Sequence, residues 1–168
     1  MISGAFTISV ANTNDAPTAI VLSANVIDEN IDGGIIGTLN STDEDVGDTV
    51  TYTLSGPHAE YFEVVNDQVK LKDGISANYE ANETLTITVK ATDSGGLTTS
   101  QTFSISVNDV NDAPSAINLS ADSIQDGLEG ANVGQILVTD EDSSESFTYS
   151  VNDDRFGIVD GLLKLKND

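Results

Sequence analysis

The chain has 168 residues, of which 38% are hydrophobic, so it is long enough for one domain of ordinary size or two small ones. Six basic residues stand against 28 acidic ones, and the resulting formal net charge of -22 makes nucleic acid and anionic membranes unfavourable partners. The absence of cysteine excludes disulfides and thiolate metal sites, and no apolar run is long enough to predict insertion into a membrane.

The first predicted element is a β-strand at residues 5–11, where large apolar residues alternate with polar ones. Nearly the same sequence returns at residues 102–108, and both copies run into Asn-Asp-Ala-Pro. Residues 15–45 align without gaps with residues 112–142, and about half of the positions are identical. The repetition predicts tandem structural units.

The repeat divides the chain into three predicted parts. Residues 1–14 are expected to hold the last strand of a preceding repeat, residues 15–111 a complete repeat, and residues 112–168 the N-terminal part of a second, truncated repeat. Seven strands are predicted within the complete repeat, separated by Gly, Asn and Asp turn signals. They cover residues 19–28, 34–41, 49–54, 61–65, 68–72, 84–92 and 98–108. This number and spacing predict an all-β fold made of immunoglobulin-like Greek-key β-sandwich repeats in tandem.

Acidic loops are predicted at both ends of the complete repeat. In an antiparallel sandwich of this type, the loop after the second strand and the loop after the sixth lie at one end. This upper end is expected to collect oxygen ligands from those loops and from the incoming linker, namely Asn14, Asp15, Asp43, Asp45 and Asp93. The opposite, lower end is expected to collect a second set. It comprises Glu29, Asn78, Glu80, Asp109, Asn111 and Asp112, with Asp140 and Asp142 supplied by the second copy.

Such clusters of oxygen ligands are typical of calcium sites. Ca²⁺ takes about six to eight oxygens from carboxylates, amides and carbonyls in flexible geometry. Without an ion, unit charges about 4 Å apart repel each other by about 1 kcal/mol even in bulk water. We therefore expect Ca²⁺ as the cofactor, with the two copies sharing ions at a junction that opens when the metal is removed.

The motifs in this order resemble the cadherin repeat. The relevant strings are "DEN", "DED", "NYE", "ATDSGG" and "DVNDAP". The resemblance implies that Glu29, Glu80 and Asp112 bridge ions at the central junction. Asn78 departs from the family pattern, which has Asp at this position, and Asp126 replaces Glu29 in the second copy. The linkers and the Thr/Ser-rich strands are similar to the cadherin-like repeats of bacterial surface adhesins.

Two functions are left open by the sequence. The first is a calcium-binding extracellular module that rigidifies a tandem-repeat stalk on the cell surface and supports adhesion, including homophilic adhesion. Its partners would be neighbouring repeats of the same chain and identical repeats on another molecule. The alternative is a carbohydrate-binding accessory module that contacts surface polysaccharide. An enzyme is not expected, because no nucleophile, base or cofactor loop is assembled.

Overall fold

The residues with the clearest apolar alternation form β-strands in the computed structural model, which describes residues 5–125, 128–143 and 145–166. The chain divides into two units, Met1–Val110 and Asn111–Asp168. One 3-10 turn, Ala59–Tyr61, lies in the first unit. The strands of that unit are β1 (Ala19–Leu22), β2 (Val26–Asp28), β3 (Ile35–Thr42), β4 (Thr51–Ser55), β5 (Phe62–Val65), β6 (Gln68–Leu71), β7 (Thr84–Thr92) and β8 (Thr98–Asn108).

Two four-stranded sheets form the first unit. Their strand orders are β1-β3-β6-β5 and β2-β8-β7-β4. Neighbouring strands are antiparallel except for β2, which runs parallel to β8. The core contains buried residues from both sheets, including Leu39, Leu71, Ile87 and Ile105. The predicted all-β sandwich is therefore confirmed.

The first predicted strand, at residues 19–28, is in fact two strands that belong to different sheets. The break lies at Ser23, whose N–H donates to the carbonyl of Thr38 while its hydroxyl accepts the N–H of Thr38. A Cβ at Gly37 would lie 2.8 Å from the backbone nitrogen of Ala24, so the close approach of the two chains requires glycine at this point. The chain thereby crosses from one sheet to the other.

The strand predicted at residues 5–11 is not formed. Its large apolar residues, Phe6, Ile8 and Val10, are exposed to solvent. A strand needs a neighbour to complete its backbone hydrogen bonds, and none lies beside this segment among the described residues. The assignment of residues 1–14 to a preceding repeat stays a prediction, and residues 1–4 lie outside the described part of the chain.

The second unit repeats the strand pairing of the first sheet. Its strands are β9 (Ala116–Leu119), β10 (Asn132–Thr139), β11 (Phe156–Val159) and β12 (Leu162–Leu165), in the order β11-β12-β10-β9. The Ser120 hydroxyl accepts the N–H of Gln135, as Ser23 does from Thr38 in the first unit. Residues 146–153, which include the counterpart of β4, contain no strand, and Asp126 lies outside the described residues.

Packing is much looser in the second unit. Ile20 of β1 is 7% exposed, whereas its counterpart Ile117 of β9 is 68% exposed. The difference arises because no second sheet faces β9 in the described part of this unit. The structure shows no helix with the length and apolar character needed to cross a bilayer among the residues that it describes.

The β5–β6 hairpin offers a test of turn chemistry. Asn66 and Asp67 form its two-residue loop, and their φ angles are 50° and 62°, as a type I′ turn requires. We expect Asp67→Gly to raise the free energy of unfolding by about 0.5 kcal/mol, because glycine avoids the left-handed strain but gains entropy in the unfolded chain. Urea denaturation measures the change. Glu44→Gly, in an exposed loop, is the control, and an equal gain there would contradict the explanation.

Candidate metal centres

Strand register brings two acidic loops together at the upper end of the first unit. Thr92, the last residue of β7, pairs with Thr51 at the start of β4 and with Thr98 at the start of β8. The loop at residues 43–50 therefore ends, and the loop at residues 93–97 begins, at the same edge of the sheet. Backbone pairing alone is enough to place the two loops side by side.

A carboxylate cluster lies between these loops. Oxygens of Asp43, Asp48 and Asp93 all lie within 4.8 Å of one another. Asp93 is 5% exposed, and its Oδ1 accepts the N–H of Leu97 at 2.8 Å. Asp48 accepts a hydrogen bond from the Ser94 hydroxyl at 2.6 Å. These bonds fix carboxylates of like charge at close range, which is unfavourable unless a cation lies among them.

The incoming linker packs onto the same end. The N–H of Asp15 donates to Asp45 Oδ2 at 2.7 Å, and the Asn12 amide donates to Asp45 Oδ1. The N–H of Asp45 in turn donates to Asp43 Oδ1 at 3.0 Å. Asn14 donates to Asp93 Oδ2 at 3.0 Å. The structure therefore brings all five predicted upper-end residues together, and Asp45 holds the linker.

Glycine is required in the loop that carries Asp93. A Cβ at Gly95 would overlap with the side chain of Asn14. Gly96 has a φ of 90°, which L-residues with side chains rarely adopt. Gly95 thus leaves room for the linker, and Gly96 permits the turn of the loop.

The lower end of the first unit carries another cluster. Because β2 is parallel to β8, the residues that follow these strands, including Glu29 and Asp109, lie at the same edge. Oxygens of Glu29, Glu80 and Asp109 lie within 4.8 Å of one another. Asn78 lies in the loop that precedes Glu80, and its Oδ1 accepts the N–H of Ala81 at 2.6 Å.

Glu29 is the most deeply buried acidic residue of this end, at 1% exposure. Its Oε2 accepts the N–H of Tyr79 at 2.7 Å, and its Oε1 accepts the N–H of Val110 at 2.8 Å. These two hydrogen bonds fix the position of the carboxylate. Glu29 therefore joins the loop before β7 to the segment after β8.

The acidic residues of this end affect the pKa of Tyr79. The pKa of its phenol lies above the ordinary value, mainly because of the negative charge of Glu83. Partial desolvation and the charges of Asp109, Glu80 and Glu29 raise the pKa further. The lower end is thus a region of strongly negative potential.

The second unit repeats the arrangement of the upper end. The N–H of Asp112 donates to Asp142 Oδ2 at 2.6 Å, and the N–H of Asp142 donates to Asp140 Oδ1 at 3.2 Å. The Asn111 amide donates to the Asp112 carbonyl at 2.7 Å. Oxygens of Asp140, Asp142 and Glu145 lie within 4.8 Å of one another. The loop geometry is therefore a property of the repeated sequence.

Two acidic residues of these clusters were missed by the sequence prediction, Asp48 and Glu145. They are equivalent, because each lies three residues after the last Asp of its "DED". An acidic residue occurs at this position in both copies, but it lies outside the short "DED" motif. A predicted ligand set built from motifs alone therefore omits them.

The donor set fits a hard cation such as Ca²⁺. The Oδ2 atoms of Asp43, Asp48 and Asp140 are buried and accept no hydrogen bond within the described residues. A buried carboxylate oxygen without a donor is costly, and a cation would remove this cost. All the clustered groups are carboxylates, and the chain has no cysteine. The single histidine, His58, belongs to none of these clusters, and its Nδ1 atom accepts the N–H of Thr86.

Comparisons with known proteins agree with the fold. Cadherin-4 of Caenorhabditis elegans is 27% identical over 160 residues, which cover 92% of this chain and 4% of that protein. Human protocadherin Fat 1 is 29% identical over 171 residues, covering 93% of this chain and 4% of that protein. The chain therefore spans a small part of both curated relatives. No protein-family model matches it.

Solved structures show the same architecture. The crystal structure of human protocadherin-24 EC1-2 (form II) has a TM-score of 0.69 at 24% identity. The match covers 87% of this chain and 74% of the protocadherin chain. In sequence and in fold, the chain is therefore similar to the cadherin repeats of these proteins.

Proposed function

We propose that the chain is a calcium-binding segment of an extracellular protein, in which Ca²⁺ at the ends of the repeats stiffens a tandem array that supports adhesion. The observation that carries this proposal is the pair of buried Oδ2 atoms of Asp43 and Asp48, which accept no hydrogen bond in the described residues and lie in one cluster with Asp93. Acidic side chains on a solvated loop have no need of such burial. A bound cation accounts for it.

Calcium suits these clusters better than other metals of biology. Its ligands are oxygens, in numbers that several carboxylates and backbone carbonyls can supply together. Zinc and the later transition metals favour nitrogen and sulfur ligands, which are absent from the clusters. We expect dissociation constants in the range of about 10⁻⁴ to 10⁻³ M that is typical of extracellular modules.

Sharing of ions between repeats is part of the same proposal. In the sequence, the last predicted ligand of the first unit is Asp109, and the first predicted ligand of the second unit is Asn111. Only Val110 separates them in sequence. We infer that the two sets, completed by Asp112, Asp140 and Asp142, hold ions in common, so that metal binding restrains the linker.

The relatives support a proposal for the wider role. Both curated relatives are cadherins by name, and we infer an extracellular location, a role in adhesion that includes contact between identical repeats, and no enzymatic activity. The bacterial origin indicated by the linker sequence stays a prediction, since these relatives come from a nematode and from human.

The carbohydrate-binding alternative is not favoured. Sugar binding would need exposed aromatic rings, but the five aromatic side chains considered for such a surface pack in or against the core. They are Tyr52, Tyr61, Phe62, Tyr79 and Phe103.

Asp48 provides a direct test of the upper cluster. The variant Asp48→Asn keeps the Oδ1 acceptor for Ser94 and replaces the buried Oδ2 by an amide group. We expect calcium affinity at this end to fall about tenfold, which corresponds to about 1.4 kcal/mol, because one charged ligand is lost. Isothermal titration calorimetry with CaCl₂ measures the change.

Glu44→Gln is the matched control for this test. Glu44 lies in the same loop and loses the same charge, but it is exposed and outside the cluster. Its calcium affinity should remain within about twofold of the wild-type value, because interactions between exposed charges are weak. Equal losses in both variants would mean that general electrostatic attraction, rather than ligation at the cluster, binds the metal.

A further inference from the structure

The crossover between the two sheets of the first unit leaves β4 at Gly56 and enters β5 at Phe62. Ser55, the last residue of β4, pairs with Thr88 of β7. Gly56 then has a φ angle of 105°, and a Cβ there would lie 3.2 Å from the backbone nitrogen of Thr88, so this departure from the sheet favours glycine. β4 therefore ends before it can pair with Thr86, two residues earlier in β7.

His58 takes the place of the strand at Thr86. Its backbone N–H donates to the Thr86 carbonyl at 3.3 Å, as a residue of a neighbouring strand would do. The return bond is made by the side chain, because the imidazole Nδ1 atom accepts the N–H of Thr86 at 2.8 Å. An imidazole nitrogen thus lies where a β-strand would offer a carbonyl oxygen.

The same histidine supports the rest of the crossover. Its ring stacks on that of Tyr61, with 6.1 Å between the centroids, and its carbonyl accepts the N–H of Tyr61. Tyr61 packs against the hydrophobic core, and its carbonyl accepts the N–H of Lys72, which directly follows β6. His58 is therefore part of a chain of contacts from β7 in one sheet to the end of β6 in the other.

The bond to Thr86 requires one protonation state of the half-buried His58 ring. Nδ1 can accept an N–H only while it keeps a lone pair, so the neutral tautomer with its proton on Nε2 is needed. An imidazolium carries N–H groups at both positions, and it would place a donor against the N–H of Thr86. Histidine is the side chain that ordinarily gains its proton between about pH 8 and pH 5. The contact therefore forms at neutral pH and is incompatible with the protonated ring.

We propose that His58 makes the first unit sensitive to acid, because its protonation breaks the bond to Thr86 and releases the crossover at residues 56–61 from β7. The release loosens the connection between the two sheets. His58 belongs to none of the carboxylate clusters, so this response is separate from metal binding.

The charged groups around His58 balance each other. The turn that follows His58 contacts β4, β5 and β7, and the Lys72 ammonium donates to the Glu60 carbonyl at 2.7 Å. The titratable residues of these elements and of the turn are Tyr52, Glu60, Tyr61, Glu63, Lys72 and Lys90. The carboxylates and the ammonium groups of this set are equal in number. The acid response is therefore attributed to the lost hydrogen bond, and not to the charge of the surroundings.

The second copy of the repeat carries an acceptor that does not titrate. The turns before β5 and β11 correspond, because the N–H of the first residue of each strand donates to the carbonyl three residues earlier. Four residues before the strand, the first copy has His58 and the second has Asn152. The Oδ1 atom of asparagine and the Nδ1 atom of histidine are both bonded to Cγ, but only the histidine gains a proton. Asparagine is therefore the matched replacement for His58.

Thermal denaturation of the 168-residue chain in constant CaCl₂ tests the proposal, at about pH 7.5 and about pH 5.5. The melting temperature of the wild type should fall by about 5 °C more than that of His58→Asn, because only histidine loses its acceptor on protonation. His58→Ala should melt lower than the wild type at pH 7.5 and should respond to pH as His58→Asn does. Equal pH responses of the wild type and His58→Asn would overturn the proposal.

Amide hydrogen exchange of the wild type provides a local test that needs no variant. Between the same two pH values, the protection factor of the Thr86 amide should fall about tenfold as its acceptor is lost. Thr88 pairs with Ser55 without help from the histidine, and its protection factor should change by less than about twofold. A Thr86 amide that keeps its protection at the lower pH, or an equal fall at Thr88, would contradict the release of the crossover.

Discussion

Removal of calcium is expected to lower the free energy of unfolding of the chain by about 2.7 kcal/mol for each site that is held at a hundredfold excess over its dissociation constant. The reason is that Ca²⁺ binds the carboxylates of a cluster, such as Asp43, Asp48 and Asp93, only in the folded state, because unfolding separates them. Thermal denaturation in about 10 mM CaCl₂ and in chelator measures the difference, provided that the sites bind with dissociation constants of about 10⁻⁴ M.

Magnesium separates ligation from charge screening. Mg²⁺ screens surface charge as Ca²⁺ does, but it demands octahedral geometry and retains its water ligands. At equal concentration it should restore much less of the stability that chelation removes. If MgCl₂ restored all of it, the clusters would be regions of negative potential without a calcium site.

The largest effect of a single substitution is expected at Glu29. In calcium, Glu29→Gln should lower the free energy of unfolding by about 3 kcal/mol, since the ligand that joins the lower cluster to the fold is lost. In chelator the loss should shrink to about 1 kcal/mol or less. There the weakened hydrogen bonds from Tyr79 and Val110 are opposed by relief of the repulsion from Glu80 and Asp109.

Glu60→Gln serves as the control, because Glu60 is exposed and belongs to none of the clusters. Its stability should change by less than about 0.5 kcal/mol under both conditions. Urea denaturation of both variants, with and without calcium, gives the four values needed. A Glu29 variant whose loss is the same in calcium and in chelator would show that this residue is structural and binds no metal.

The strands could be predicted from the sequence because their alternation is local. In β7 every second residue from Leu85 to Ala91 is buried, and the predicted bounds of β7 and β8 agree with the structure. The break at Ser23 could not be predicted, because it depends on Thr38 and Gly37 of another strand. Residues 5–11 show the opposite case, in which strand propensity is present but no strand in the described part of the chain provides hydrogen bonds.

The carboxylate clusters were predictable to the extent that their residues belong to short motifs. Asp43 and Asp93 were found because an immunoglobulin-like topology places their loops at one end. Asp48 and Glu145 were not found, because their contribution depends on how each loop folds back after "DED". Sequence pattern gives the topology, whereas the local path of a loop decides which of several acids turns inward.

The parallel pairing of β2 with β8 has a mechanical consequence. Within the first unit the linker leads into β1 and the chain continues after β8, so tension along the proposed tandem array would act on strands that lie on both sides of this pairing. The three residue pairs from Val26 and Ser106 to Asp28 and Asn108 would then carry load in shear, all together instead of one after another. Resistance to force in such an array would depend on this short pairing of β2 with β8. Glu29, which follows β2 directly and accepts a hydrogen bond from the N–H of Val110, holds the end of the pairing together.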